Sequence, residues 1–176
     1  MRAKYVGNKA DKIIMNVRND EASTTILAGT PLVLNLSTTA SASGDGLGVV
    51  LPATAGDPLS FACKYGVATT DIAVNQFGEA ILFGICTNAL VVRATRASST
   101  ASFSTFTTYA SGVGMGIDTV NNAFSPVGGS IAGLIASNIM VAVLLDSMST
   151  GSGSASTTSV TANTKYDTAR VFLRML

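Results

Sequence analysis

With 176 residues the chain is long enough to bury a core without disulfide or metal staples, and it suits one domain with or without an extended arm. Charged residues make up 12%, about half the usual share, and hydrophobic residues 47%, so much of the surface is expected to be covered by something else, as in an assembly protein. Histidine is absent, which excludes Ser-His-Asp catalysis, and the net charge of +1 conceals a basic front: Arg2, Lys4, Lys9, Lys12 and Arg18 stand against only Asp11 in the first 18 residues.

That basic front belongs to residues 1–25, which read as an arm or edge strand, with residues 26–176 as the β-rich domain. Within the arm, residues 12–18 fit a strand whose Ile13, Met15 and Val17 share a face. The segment has no apolar core followed by a small-residue cleavage site, so synthesis in the cytoplasm is the expectation. Five basic residues without interleaved aromatics or a known module argue against nucleic-acid binding. Residues 26–36 predict a strand, a turn through Ala28, Gly29, Thr30 and Pro31, and a second strand, because glycine supplies positive φ and proline fixes φ near −65°. A Ser/Thr/Gly loop follows over 37–46, then a short strand over 48–51 closed by Pro52 and another loop over 53–58.

Residues 65–96 form the centre of the chain. Runs of Ile, Leu, Val and Phe bounded by glycines and polar residues are what a mostly buried strand requires. Gly66, Gly78 and Gly84 are expected to shape the chain there, and Asp71 and Glu79 to solvate a turn. Phe103, Phe106 and Tyr109, spaced by three in a Ser/Thr-rich segment, fit packing beneath a loop or an exposed aromatic platform. Residues 131–145 fit either a helix or a strand, with β-branched residues and flanking glycines favouring strand; Asn138 interrupts them and they fall short of the ~20 residues that span a bilayer. Residues 147–164 carry no basic residue or carboxylate and read as a long polar loop or extended strand pair. The terminal run is apolar to its last position, so Phe172, Leu173 and Leu176 are expected in a sheet or subunit seam. One internal echo stands out: Gly66-Val67 followed by Val74-Asn75 and Phe77 resembles Gly112-Val113 followed by Val120-Asn121 and Phe124.

No chemistry gathers around these elements. Asp71 and Glu79 fall eight apart around one turn, without the aromatic and polar company of a glycosidase pair. The glycine runs at 44–48 and 112–116 lack the Gly-Lys-Ser/Thr and following helix that a phosphate loop needs. Cys63 and Cys86, without CxxC or histidine, read as buried free thiols, a disulfide between them being the alternative. No catalytic residue, cofactor or metal is expected.

Residues 65–94, with the AGTPL turn (28–32), the GVVLPATAGD segment (48–57) and the closing RVFLRML, resemble the small capsid decoration, or cement, proteins of tailed bacteriophages. The resemblance implies an all-β fold, a single β-barrel, β-tulip or jelly-roll-like domain with an extended N-terminal arm and long Ser/Thr/Gly loops. It implies binding to the major capsid protein on the outer surface of the virion head, self-association as a homotrimer or dimer, and no part for nucleic acid or membrane. Arg2, Lys4, Lys9, Lys12 and Arg18 would then meet the acidic capsid surface, with Gly29, Pro31, Gly66, Gly78 and Gly84 as structural turns. Two other classes stay open at this point: a head fibre or carbohydrate-binding module using Phe103, Phe106 and Tyr109, and a filament subunit built by strand exchange.

Overall fold

The computed structural model describes residues 12–35, 47–52, 64–95, 108–119, 121–127, 140–148 and 164–173. They are all-β: β1 (Ile13–Asn19), β2 (Pro31–Leu34), β3 (Gly48–Val50), β4 (Lys64–Ala68), β5 (Phe77–Thr95), β6 (Gly114–Asp118), β7 (Ala123–Pro126), β8 (Ala142–Leu144) and β9 (Thr164–Leu173). The strands make one mixed sheet in the order β1-β3-β2-β4-β5-β7-β6-β8-β9, with β1 and β9 each also pairing to β5. Its pairings therefore run partly in rings. The β1–β3 and β5–β7 pairs are parallel and the others antiparallel.

The 19-residue β5 belongs to both parts of the sheet, and its partners change along its length. β1 pairs antiparallel with its first part, from Arg18 opposite Phe77 to Ile13 opposite Phe83. β9 takes over on the next residue, from Leu173 opposite Gly84 to Thr164 opposite Thr95. Gly84 stands at the handover with φ of +101°, a backbone state open to glycine at little strain. β4 pairs with β5 at Ala80 and Ile81, and β7 at Val91.

Two apolar clusters fill this frame. Val17, Ile26, Leu32, Val49, Leu51, Ala68, Ile72 and Ala80 form the smaller, around β1 to β4. The larger joins Val67 and Ile81 to Cys86, Val91, Met115, Ile117, Phe124, Leu144, Val171 and Leu173. Val67 faces Ile81 across the β4–β5 pair, while Ala68 faces Ala80. Alternation along β4 and β5 thus sends one residue of each into one cluster and its neighbour into the other. Leu90, Val92, Ala123 and Tyr166 pack on the opposite side of the second part of β5, which is therefore buried on both faces. Each fully buried Val, Leu, Ile or Phe contributes about 1.5–3 kcal/mol.

Several expectations land differently in three dimensions. Gly29 lies in a turn, but Pro31 opens β2, Gly66 lies within β4, and Gly78 and Gly84 lie within β5. The strand continues through Gly78 and Gly84, because β1 pairs with Gly78 and β9 with Gly84. Met15 and Val17 turn inward as β1 alternates, whereas Ile13 is 36% exposed, since the register shifts between Ile13 and Ile14. Of residues 131–145, β8 accounts for Ala142–Leu144, and 131–139 lie outside the described residues. So do Arg2, Lys4, Lys9, Cys63, Phe103, Phe106, Leu176, the loop expected over 37–46 and residues 149–163 of the polar segment expected over 147–164, whose last residue, Thr164, opens β9.

The internal echo acquires a backbone basis and a shifted alignment. Asn75 and Asn122 both adopt positive φ, of 59° and 52°, and each lies two residues before a phenylalanine, Phe77 or Phe124. Asparagine tolerates this left-handed state better than other side chains, so each turns the chain into a following strand. The equivalent of Asn75 is thus Asn122 rather than Asn121.

Gly29 joins the two parts of the sheet through its backbone. Its N–H donates to the Ala68 carbonyl at 2.8 Å, and its carbonyl accepts the Leu90 N–H at 2.9 Å. It has φ of +83°, and an added methyl would fall on the Asn88 carbonyl oxygen. Gly112 has a similar φ of +87° with open space around it. Gly112→Ala should therefore cost only the conformational strain of about 1 kcal/mol, and Gly29→Ala clearly more, about 2 kcal/mol or above. Urea unfolding of the two variants beside the wild type, at matched slope, measures the difference.

Candidate interaction surface

Several buried polar side chains in this fold hold backbone. Asn19, fully buried at the end of β1, donates through Nδ2 to the carbonyls of Thr24 (2.9 Å) and Ile72 (2.8 Å) and accepts the Glu21 N–H on Oδ1. Glu21 in turn accepts the Leu51 N–H at 2.7 Å. Between them, Asp20 takes Arg18 Nε at 2.7 Å on one oxygen and Asn35 Nδ2 at 3.0 Å on the other. The run Asn19-Asp20-Glu21 therefore ties β1 to the segment after it and to the chain following β2 and β3. Nothing in its spacing pointed to this, because the partners come from residues 35, 51 and 72. The immediate signal was three adjacent polar residues ending an apolar strand, which is where buried backbone groups need partners.

A second set does the same around β6, β7 and β9. Asp118, fully buried, accepts both the backbone N–H and the side-chain amide of Asn121, at 3.1 and 2.8 Å. Tyr166 donates to the Asn121 carbonyl, and Tyr109 to the Val92 carbonyl, both at 2.9 Å. Tyr109 is 6% exposed, so it belongs to the core. Asp71 and Glu79 have separate surroundings: Asp71 accepts the Ala28 N–H, while Glu79 is exposed opposite Asn16. Cys86 is a free, buried thiol directed at Asn88 Oδ1 at 3.4 Å, and burial pushes its pKa up, which disfavours the reactive thiolate. Among the described residues no group of three or more His, Cys, Asp or Glu is placed to hold a metal ion. No helix there is long and apolar enough to cross a membrane, a statement that leaves strands aside.

What the described residues do offer is surface. On the outer side of β1 and the first part of β5, Ile14 is 51% exposed and Phe77 60%. Lys12, Asn16 and Glu79 are exposed around them, and Arg18 is half-buried against Asp20. At the other site expected from the sequence, Leu173 is in the larger core cluster and Phe172 is half-buried, with its ring edge-on to Phe83 at 5.4 Å. Both sit in the β9 seam against β5 and β8, a join within the chain.

Beside that seam, Arg170 makes two side-chain hydrogen bonds to Asp146, and its backbone N–H makes a third. These bonds hold the Asp146 carboxyl below its ordinary range. A carboxyl depressed on folding stabilises the native state above its unfolded value near 4, and that contribution disappears as pH falls through the depressed folded value. Both side chains are largely in water, so the effect is small. The difference in unfolding midpoint between wild type and Asp146→Asn should be present at pH 6 and vanish in acid; a difference unchanged down to pH 2 would contradict it.

Comparison of the chain with models of known protein families and with curated proteins gives no match.

Proposed function

We propose that this chain is a structural decoration, or cement, protein that binds the outer surface of a phage head and bridges neighbouring capsomers, with the major capsid protein and further copies of itself as partners. The observation that carries the reading is the combination of a sparsely charged chain with an all-β frame whose polar groups are committed to internal backbone. Such a chain has little to offer a substrate and much to offer a neighbouring surface. The resemblance of residues 65–94 and of the closing RVFLRML to decoration proteins points the same way.

The two sets of pairings that return to β5 support a barrel-like description of the domain, in which β5 is a shared wall. A frame of that kind keeps contacts at its two ends at a set spacing, as a bridge between capsomers requires. Mechanistically, a subunit that touches two capsomers binds fully only where both are in place, so its binding free energy adds to the stability of the assembled shell. Repetition over the lattice multiplies weak contacts into tight attachment. The basic residues Arg2, Lys4 and Lys9 are assigned to acidic capsid surface, together with Lys12, whose side chain is exposed. Arg18 is a weaker contributor, since its charge is already met by Asp20.

Co-sedimentation with heads stripped of their decoration tests the proposal. The full chain should pellet with the heads, and removal of residues 1–11, which leaves β1 intact, should weaken retention about tenfold or more and reduce its sensitivity to salt. Failure of the full chain to pellet overturns the function, and full retention after truncation overturns the role of the arm.

A further inference from the structure

Among the described residues the exposed large hydrophobics are Ile13, Ile14 and Phe77, and all three belong to β1 or to the start of β5. Register fixes how they are arranged. Asn16 lies opposite Glu79, Arg18 opposite Phe77 and Ile14 opposite Ile81, so these pairs share one face of the two strands, which is open at Ile14, Asn16, Glu79 and Phe77 and closes at Ile81, where the larger core cluster begins. Val17 and Ala80, one residue away on each strand, are buried on the other face. Lys12, just ahead of β1 and two residues before Ile14, is exposed. The face therefore presents Ile14 at its middle, Lys12 two residues to one side, and the Asn16–Glu79 row two residues to the other.

Lys12 and Glu79 are about 13 Å apart on this spacing, too far to pair with each other. They are, however, placed symmetrically about Ile14, with opposite charge. A two-fold axis through Ile14 superposes each Lys12 on the Glu79 row of the other copy and lays Ile14 against Ile14. This is the self-complementarity an isologous contact demands, in which residue i meets j and j meets i. Arg18, further out on the same face, is neutralised by Asp20 and so does not oppose the arrangement. Phe77 adds a second argument. Its counterpart after the matching left-handed asparagine, Phe124, is 1% exposed in the core, whereas Phe77 is 60% exposed. The same turn thus delivers one phenylalanine to the core and leaves the other at the edge of the charged and apolar face.

We propose that the outer face of β1 and the start of β5 is a contact surface for a second copy of this chain, the two copies running antiparallel about Ile14 with reciprocal Lys12–Glu79 pairs. The apolar middle supplies the attraction, and the charges select the antiparallel arrangement. This contact does not depend on capsid binding and is tested without heads.

The experiment is sedimentation equilibrium of the full chain near pH 7 at low salt, with circular dichroism to verify folding of each variant. The wild type should dimerise in the micromolar range, and Ile14→Asp should be a folded monomer. Lys12→Glu and Glu79→Lys, each placing like charges together twice per dimer, should each weaken association about tenfold. Mixing those two variants should restore it, because every contact in the mixed dimer again joins opposite charges. A monomeric wild type, a folded Ile14→Asp that still dimerises, or a mixture no tighter than its separate components would each overturn the proposal. A wild-type trimer that the mixture fails to restore would overturn the two-fold arrangement in favour of a cyclic one.

Discussion

The structure depends on one strand serving two sets of neighbours. β5 runs unbroken from Phe77 to Thr95, yet β1 leaves it at Phe83 and β9 joins it at Gly84. A strand at the edge of a sheet exposes unpaired N–H and C=O groups, so a strand this long is stable only if partners follow one another without a gap. The handover at Gly84 meets that condition on one side. On the other, the Gly29 backbone spans from Ala68 to Leu90, between the stretches paired to β4 and β7. Two glycines with positive φ, Gly29 and Gly84, therefore stand where the two parts of the sheet join, and at Gly29 the Asn88 carbonyl comes closer than any side chain would allow.

Continuity of β5 also links the two cores. Val67 and Ile81 belong to strands that border the smaller cluster but turn their side chains into the larger one. The clusters accordingly share walls, and loss of packing in one removes support from the other. Polar residues complete the joins that apolar packing cannot: Asn19 and Glu21 satisfy backbone groups from three separate segments, and Asp118 closes the turn between β6 and β7. Buried, fully hydrogen-bonded groups of this kind specify one arrangement, since any alternative would leave them unsatisfied in a low-dielectric interior.

A protein so economical with charge has its interaction capacity where apolar and charged residues meet at the surface. The β1–β5 face is such a place, and the basic residues ahead of β1 adjoin it in sequence. On the capsid reading, the sheet provides a stiff body, the basic arm provides attraction to acidic neighbours, and the exposed face provides contact between copies. Arg2, Lys4 and Lys9 serve the first of these contacts and Ile14 and Glu79 the second, with Lys12 common to both.

Composition and local pattern by themselves determined an all-β chain with a strand-rich centre at 65–96, a strand over residues 12–18 and an apolar final strand, because periodicity and β-branched content act on neighbouring residues. They also placed Leu173 in a seam and suggested a repeated turn before two phenylalanines. Tertiary structure decided what the glycines do. Gly78 and Gly84 lie inside β5 only because β1, β4 and β9 pair around them, and partners that come from residues 13, 68 and 173 leave no trace in the local pattern. It likewise decided that Phe77 and Ile14 face solvent while Phe124 is buried, and that Arg18 is occupied by Asp20. The reason is common to all of these: exposure and pairing depend on which distant strand lies alongside, and strand order is set by the whole sheet.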